Sequence, residues 1–402
     1  ATVSSFVPAI IRARAAASDD LLSAPGKERH FAGVLFADIS GFTALTEQLS
    51  RRGPEGAEEL TRLLNLYFGG IIDAIEVAGG DVLKFAGDAL LAIWSAPDES
   101  GLDEVVLRVT KVSERLQSDM HNSEVAPGIR LSMKLAIGAG EVDVEHLGGL
   151  FDRWEFLISG LPLAQLGRAN DCAEPGDVVL SVEAAARLHR GYELEPAAEG
   201  VFRLVASCGT MRPFPSVPAP ELPNATETEQ LLTFLPAAIR QRVAAGHAEW
   251  LSELRAVSVV FMNLPGFGVD TPLERAQEAM RTLQTCLYRY EGSINKVSVD
   301  DKGASLIGVL GLPPLSHTDD PQRALRAAID MQAGLRELGL DSAIGVCSGT
   351  AFCGVVGNNR RREYTVMGDV VNLSARLMQA AVGGILCDEQ TRKRGGSRFD
   401  FK

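Results

Sequence analysis

One strand, helix and hairpin pattern occurs twice in this chain, and the two copies carry complementary polar residues. The first runs from Val34 through Phe36, Asp38, Ile39, Gly41, Phe42 and Thr43. After a helical stretch it continues from Gly79 through Lys84 and Gly87-Asp88 to Trp94. The second runs from Val259 through Asn263 and Pro265 to Phe267, then from Glu291 through Lys296 and Asp300 to Val309. Asn263 stands where Asp38 stood, and Lys302-Gly303 is read in place of Gly87-Asp88. A duplication with asymmetric loss implies one working site shared across a pseudo-twofold axis, with a degenerate site beside it.

The offset of 225 residues from Asp38 to Asn263, in a chain of 402 residues that is 46% hydrophobic, fits two domains with a core each. Apolar, strand-forming residues over 31–39 precede helical spacing over 56–77, and Gly79-Gly80 turns the chain into a hairpin with Asp88 at its tip. Helices are expected over 101–121 and 162–173, and strands over 130–138, 154–159 and 177–181. Five prolines between 209 and 228 read as a linker. The second unit then opens with a helix over 229–245 and a strand over 256–264, and a later strand covers 385–387. The resulting domains are 30–208 and 229–402, after a helical segment over 1–29 and joined by the 209–228 linker. Mixed strands and helices in this order give an α+β fold. Phe399 to Lys402 reads as the start of a strand, so the chain is expected to belong to something longer.

A net charge of −13 excludes a general nucleic-acid partner, because no basic field exists to displace counterions from a polyphosphate. The six cysteines form no Cys-x-x-Cys pair, and neither a disulfide framework nor a zinc site is indicated. No apolar run is long enough to span a bilayer. The expectation is a cytoplasmic protein.

Asp38 ends a buried strand and Asp88 tips the adjoining hairpin, so the two carboxylates can converge on divalent cations such as magnesium or manganese. Each alone reads equally well as a cap or a turn residue. The turn from Ile39 through Gly41, Phe42 and Thr43 into a helix offers amides to a triphosphate. In the second copy, Asn372 and Arg376 lie four residues apart on one helical face. Such a pair can orient a sugar oxygen and neutralise charge on a pentavalent phosphorus.

These blocks, with Tyr364 to Arg376, resemble class III nucleotidyl cyclase domains over roughly residues 30–390, and in their tandem order the soluble, bicarbonate-responsive adenylyl cyclases. The resemblance implies two ferredoxin-like domains packed as an intramolecular pseudo-twofold dimer, active as a monomer. It implies metal ligation by Asp38, Asp88 and the Ile39 carbonyl, with two magnesium ions, manganese in their place, or calcium accompanying ATP. It places Lys134 near the triphosphate, and Lys296 with Thr365 and Val366 at the adenine. Asn372 and Arg376 become the transition-state pair. Guanylyl cyclases of the family carry Glu and Cys at the two base-reading positions, so Lys296 and Thr365 favour ATP, giving 3′,5′-cyclic AMP and pyrophosphate. No histidine or further acid in the matched motifs stands ready to take the proton.

The degenerate site is expected to gather Lys84 and Arg168, with Ala164 in place of the asparagine. By the same resemblance it binds bicarbonate as an activator, which would free Asp88 by competing for Lys84. The simpler reading pairs Lys84 with Asp88 and leaves no ligand. Two other functions compete with the cyclase. One is a catalytically silent nucleotide- or anion-sensing module; the other is a diguanylate cyclase, raised by Gly79-Gly80-Asp81. Arg153 and Arg360-Arg361-Arg362 precede strands and read as solvated.

Overall fold

The computed structural model describes residues 3–17, 22–50, 52–188, 191–207, 224–236, 239–240, 243, 252–396 and 399–401. The side chains of Thr43, Ala44, Glu47, Ser50, Pro54 and Ala86 lie outside that description, as does most of the expected linker. The first half begins with a helix, α1 (Ala9–Ala17), and the long strand β1 (Gly26–Ser40). Helices α2 (Phe42–Ser50) and α3 (Pro54–Val77) lead to the hairpin β2 (Asp81–Ala86) and β3 (Ala89–Ala96). Then come α4 (Leu102–Met120), β4 (Ser123–Ala126), β5 (Ile129–Leu150), β6 (Arg153–Ser159), α5 (Leu161–Asp171), β7 (Val178–Ser181), α6 (Val182–Arg187), β8 (Tyr192–Ala198) and β9 (Val201–Ser207). The second half contains α7 (Ala225–Leu232), β10 (Glu253–Leu264), α8 (Leu273–Arg289), the hairpin β11 (Ser293–Asp300) and β12 (Gly303–Leu310), α9 (Asp320–Glu337), β13 (Ala343–Gly357), β14 (Arg362–Met367), α10 (Asp369–Ala380), β15 (Ile385–Cys387) and α11 (Glu389–Gly395).

Each half is built on one sheet. In the first, the order is β2-β3-β1-β5-β7-β9-β8, and in the second β11-β12-β10-β13-β14. The strand expected over 130–138 is far longer, because β1 starts at Gly26 and gives β5 a partner as far as His146. The helix expected to open at 229 begins earlier, as α7 at Ala225, where the Asn224 side chain and Glu227 cap each other's amides, and α7 ends at Leu232. Of the rest of 229–245, residues 239–240 and 243 are helical, and 237–238, 241–242 and 244–245 lie outside the described residues. Phe399 and Phe401 form no strand; they pack on the second core. Among the described residues, no helix is long and apolar enough to cross a membrane.

Three apolar clusters form. One fills the first half around α3 and α4, and another the second half around α8 and α9. The third lies between the sheets, where Val34, Leu83 and Trp154 of the first half meet Val259, Tyr364 and Val366 of the second. This shared core makes the halves one body and fixes the interface from which any shared site is cut.

Helix α10 lies against β13 so closely at Gly345 that a Cβ there would overlap the backbone of Ser374 and Met378. Gly138 does the same beneath α5, where a Cβ would come within 2.7 Å of the Pro162 carbonyl. Gly345→Ala is therefore expected to lift α10 and to cost about 1–3 kcal/mol of stability, read by chemical denaturation. An unchanged denaturation midpoint would mean that α10 shifts freely.

Candidate active site

Asp38 pairs across the sheet with Ala89 on one side and Lys134 on the other. The Ile39 amide donates to the main-chain oxygen of Asp88 at 3.2 Å, so the hairpin tip is held against the end of β1. The tip is a two-residue turn, Gly87-Asp88, in which Gly87 takes a positive φ of 69°. Burial, and next the charge of Asp38, push the Asp88 carboxyl above its ordinary range. The two carboxylates form a hard oxygen set whose proximity a divalent cation would relieve. Among the described residues, no cluster of three or more His, Cys, Asp or Glu exists, so phosphate and carbonyl oxygens would have to complete such a cation's shell.

Lys134 does not stand free. Its ammonium lies 3.2 Å from Asp38 Oδ2 and donates to the Asn170 carbonyl at 3.2 Å, while the Asn170 amide reaches Asp38 at 3.4 Å. Gly41, at φ 96°, lets the chain turn into α2 where a Cβ would meet the Arg130 carbonyl at 2.6 Å. Phe42 is buried beneath that turn, and Thr43 follows it in α2.

Lys296 and Thr365 meet. The lysine ammonium donates to Thr365 Oγ1 at 2.9 Å and sits 3.5 Å from Glu363, all three on the facing strands β11 and β14. Burial pulls the Lys296 pKa down, and Glu363 opposes that pull. Val366 points into the shared core. Asn372 and Arg376 share the exposed side of α10, opposite Val370, Val371, Ser374 and Met378, and their side chains have no partner among the described residues.

Sequence reading missed the residues that join these groups across the axis. Arg361, only 3% exposed, donates to the carbonyls of Val82 at 2.7 Å and Leu83 at 2.6 Å, and to Glu363 at 3.2 Å. Glu363 also accepts from the Phe85 amide at 3.3 Å. Arg153 is buried as well and donates to Glu155 at 2.9 Å. The expectation of solvated arginines is thus corrected for Arg153 and Arg361, because strand carbonyls and carboxylates take up their donors. A signal was present: Arg153 and Glu155 recur as Arg361 and Glu363 at the 208-residue offset that relates Gly160 to Gly368.

The degenerate side departs from expectation in three ways. Lys84 does not pair with Asp88; its ammonium donates to the Phe156 carbonyl at 2.8 Å and to the Val297 carbonyl, over the Phe156 ring. Arg168 is exposed on α5 and does not line the cavity of ≈ 310 Å³ that Lys84 shares with Leu163, Leu166 and Val299. The second hairpin turns at Asp301-Lys302, not Lys302-Gly303. Measured from the bulges before Lys84 and Lys296, it is two residues longer on each strand than the first. The extra length carries Asp301 against Gly167 of α5 and narrows the site. Asn263 donates to the carbonyls of Lys302 at 3.2 Å and Ala304 at 3.3 Å, so it staples that hairpin.

Removing the guanidinium with Arg361→Met leaves four carbonyls, those of Phe6, Val82, Leu83 and Arg362, and the half-buried Glu363 carboxylate short of donors. About 3–5 kcal/mol of stability should be lost, measured by urea unfolding; a loss under about 1 kcal/mol would reduce Arg361 to a surface-like contact.

Comparison with known proteins gives a consistent set of likenesses. The model for the adenylate and guanylate cyclase catalytic domain matches residues 26–208 and 251–401. "Adenylate cyclase type 10" of Homo sapiens is 32% identical over 400 residues, covering 90% of this chain and 24% of the relative, and the Mus musculus protein of that name gives the same figures. The chain thus spans about a quarter of the length of these relatives. An uncharacterized protein of Mycobacterium tuberculosis is 30% identical over 176 residues, 43% of this chain and 29% of that one. Among solved structures, a class III adenylyl cyclase-like ATP-binding protein from Pseudomonas aeruginosa superposes with a TM-score of 0.61 at 13% identity. It covers 92% of this chain and 85% of its own, a likeness of fold.

Proposed function

The chain belongs to the adenylate and guanylate cyclase catalytic domain family, and from that premise we propose that it converts ATP to 3′,5′-cyclic AMP and pyrophosphate at one site shared by its halves. The observation that carries the choice of base is the Lys296 ammonium on Thr365 Oγ1 at 2.9 Å. A cationic donor and a hydroxyl fixed side by side present hydrogen bonds to the adenine edge, with Val366 on the same strand. Asp38, Asp88 and the Ile39 carbonyl suit two magnesium or manganese ions, which when bound lower the pKa of the ribose 3′-hydroxyl and spread the triphosphate charge.

The chain's own groups do the rest. The amides from Gly41 through Phe42 and Thr43, at the start of α2, receive phosphate oxygens. Lys134 exchanges Asp38 for the triphosphate. Asn372 orients the ribose as its 3′-oxygen attacks the α-phosphorus in line, and Arg376 compensates charge on the phosphoryl oxygens as pyrophosphate leaves. Their exposure on α10 leaves both side chains available to a nucleotide. Acting in the cytoplasm as a monomer, the chain needs no second copy, since each half supplies what the other lacks.

Incubation with magnesium ATP should yield cyclic AMP, and Asp88→Ala or Arg376→Ala should lower the turnover by about a hundredfold or more. Nucleotide binding without turnover would instead support a silent sensor.

The same reading includes bicarbonate as an activator at the degenerate site, with Lys84 supplying the positive charge inside its cavity. Burial brings the Lys84 pKa down to about 8, with Glu363 and Glu155 opposing the fall. The ammonium is present below that pH and lost above it. Activation at fixed bicarbonate should therefore be full near neutrality and fade as the pH passes about 8. It should disappear in Lys84→Met and survive in Arg168→Ala. An unchanged bicarbonate response in Lys84→Met, with basal activity intact, would remove Lys84 from the response.

A further inference from the structure

We propose that Glu363 is a positioning residue, tying the base-reading Lys296 of the second half to the hairpin of the first half that carries Asp88. The inference rests on the adenine-reading role given to Lys296 above and adds what holds that lysine in place. One carboxylate oxygen lies 3.5 Å from the Lys296 ammonium; the other accepts from the Phe85 amide at 3.3 Å and from Arg361 at 3.2 Å. A single side chain thus spans both halves. Phe85 is three residues from Asp88 on the same hairpin.

The local backbone explains why the clamp acts there. β2 bulges between Val82 and Lys84, leaving Leu83 outside the regular register. A bulged residue needs partners for its main-chain groups from elsewhere. Arg361 supplies them, bonding Val82 and Leu83, and its guanidinium is in turn held by Glu363. Arginine, glutamate and hairpin form one unit to which Lys296 is joined through Glu363.

The mirror side provides an internal contrast. Arg153 turns to the carbonyls of Trp154 and Thr233, and among the described residues neither it nor Glu155 bonds the second hairpin. The second hairpin is held by Lys84 on the Val297 carbonyl. Among the described residues, the carboxylate bridge therefore exists only on the side that has kept Asp38 and Asp88. A bridge serving general stability alone would have no reason to be one-sided.

The groups facing Lys296 are Glu363, Arg361 and Lys84, with Arg153 and Glu155 lining the same small cavity. Of these, Glu363 is the main group that keeps the ammonium protonated against burial. Glu363→Gln keeps an acceptor for the Phe85 amide and removes the charge, whereas Glu363→Ala removes both.

The test measures binding of 3′-deoxy-ATP, which lacks the attacking hydroxyl, by calorimetry from pH 6 to 9, beside ATP turnover. For Glu363→Gln the alkaline limb of binding should move down by about one pH unit, with near wild-type affinity at the acid end and kcat nearly kept. Glu363→Ala should in addition lower kcat by about tenfold as the hairpin loses its anchor. Glu155→Gln should leave the binding limb in place. Parallel losses in the Gln and Ala variants at every pH, tracking their melting temperatures, would overturn the proposal in favour of plain structural support; an unmoved limb in Glu363→Gln would overturn it as well. If the wild-type chain binds 3′-deoxy-ATP but never cyclises ATP, the cyclase reading fails while the binding limb still decides the role of Glu363.

Discussion

A buried guanidinium reaching from one half of the chain to two carbonyls of the other is the contact on which the shared site depends. The apolar core between the sheets supplies most of the attraction, but apolar burial has no direction and would tolerate a slide of one sheet over the other. Arg361 permits no such slide. Its donors are matched to Val82 and Leu83, and moving β14 by one residue along β2 would strand a buried charge. Because β2 leads to Asp88 and β14 carries Thr365, the register of this one contact sets the Asp88 hairpin relative to Lys296 and Thr365.

The two halves then diverge by simple changes of backbone length and side-chain charge. On the active side the hairpin is short and ends in Gly87-Asp88, leaving a carboxylate beside Asp38. On the other side two extra residues per strand drive Asp301 against Gly167, and the amide of Asn263 bonds hairpin carbonyls where a carboxylate would have repelled them. The second site is narrowed by the greater length of its hairpin.

Much of this was legible in the sequence, for reasons that separate cleanly. The repeat, the strands that carry Asp38 and Asn263 near their ends and the helix after Gly368 follow from apolar periodicity and glycine punctuation, which are local. The meeting of Lys296 with Thr365 was legible only through resemblance, since 69 residues and a sheet register separate them. The hairpin turn at Asp301-Lys302 was misread by one residue because length, not composition, distinguishes it. The buried fates of Arg153 and Arg361 were hidden for a deeper reason: an arginine before a strand is solvated or buried according to what the other half places over it. Only the recurrence of Arg-x-Glu in both copies carried that information. Arg168, at the spacing of Arg376, is exposed on its helix as Arg376 is, and it lies outside the lining of the Lys84 cavity.

Lys84 and Lys296 occupy equivalent positions, each just after the bulge of its hairpin, yet they are held in different ways. Lys296 bonds a hydroxyl and a carboxylate, side-chain partners that can rotate, so the ammonium can turn to a ligand without moving a strand. Lys84 bonds the Phe156 carbonyl of its own half and the Val297 carbonyl of the other. Main-chain oxygens cannot swing aside. An anion that takes the third Lys84 donor would sit beside the bond that pins one sheet to the other, and Val297 lies next to Lys296. Any effect of such an anion would reach the base-reading site through the backbone of β11, as a change in how the halves sit, with no need for Lys84 to touch Asp88.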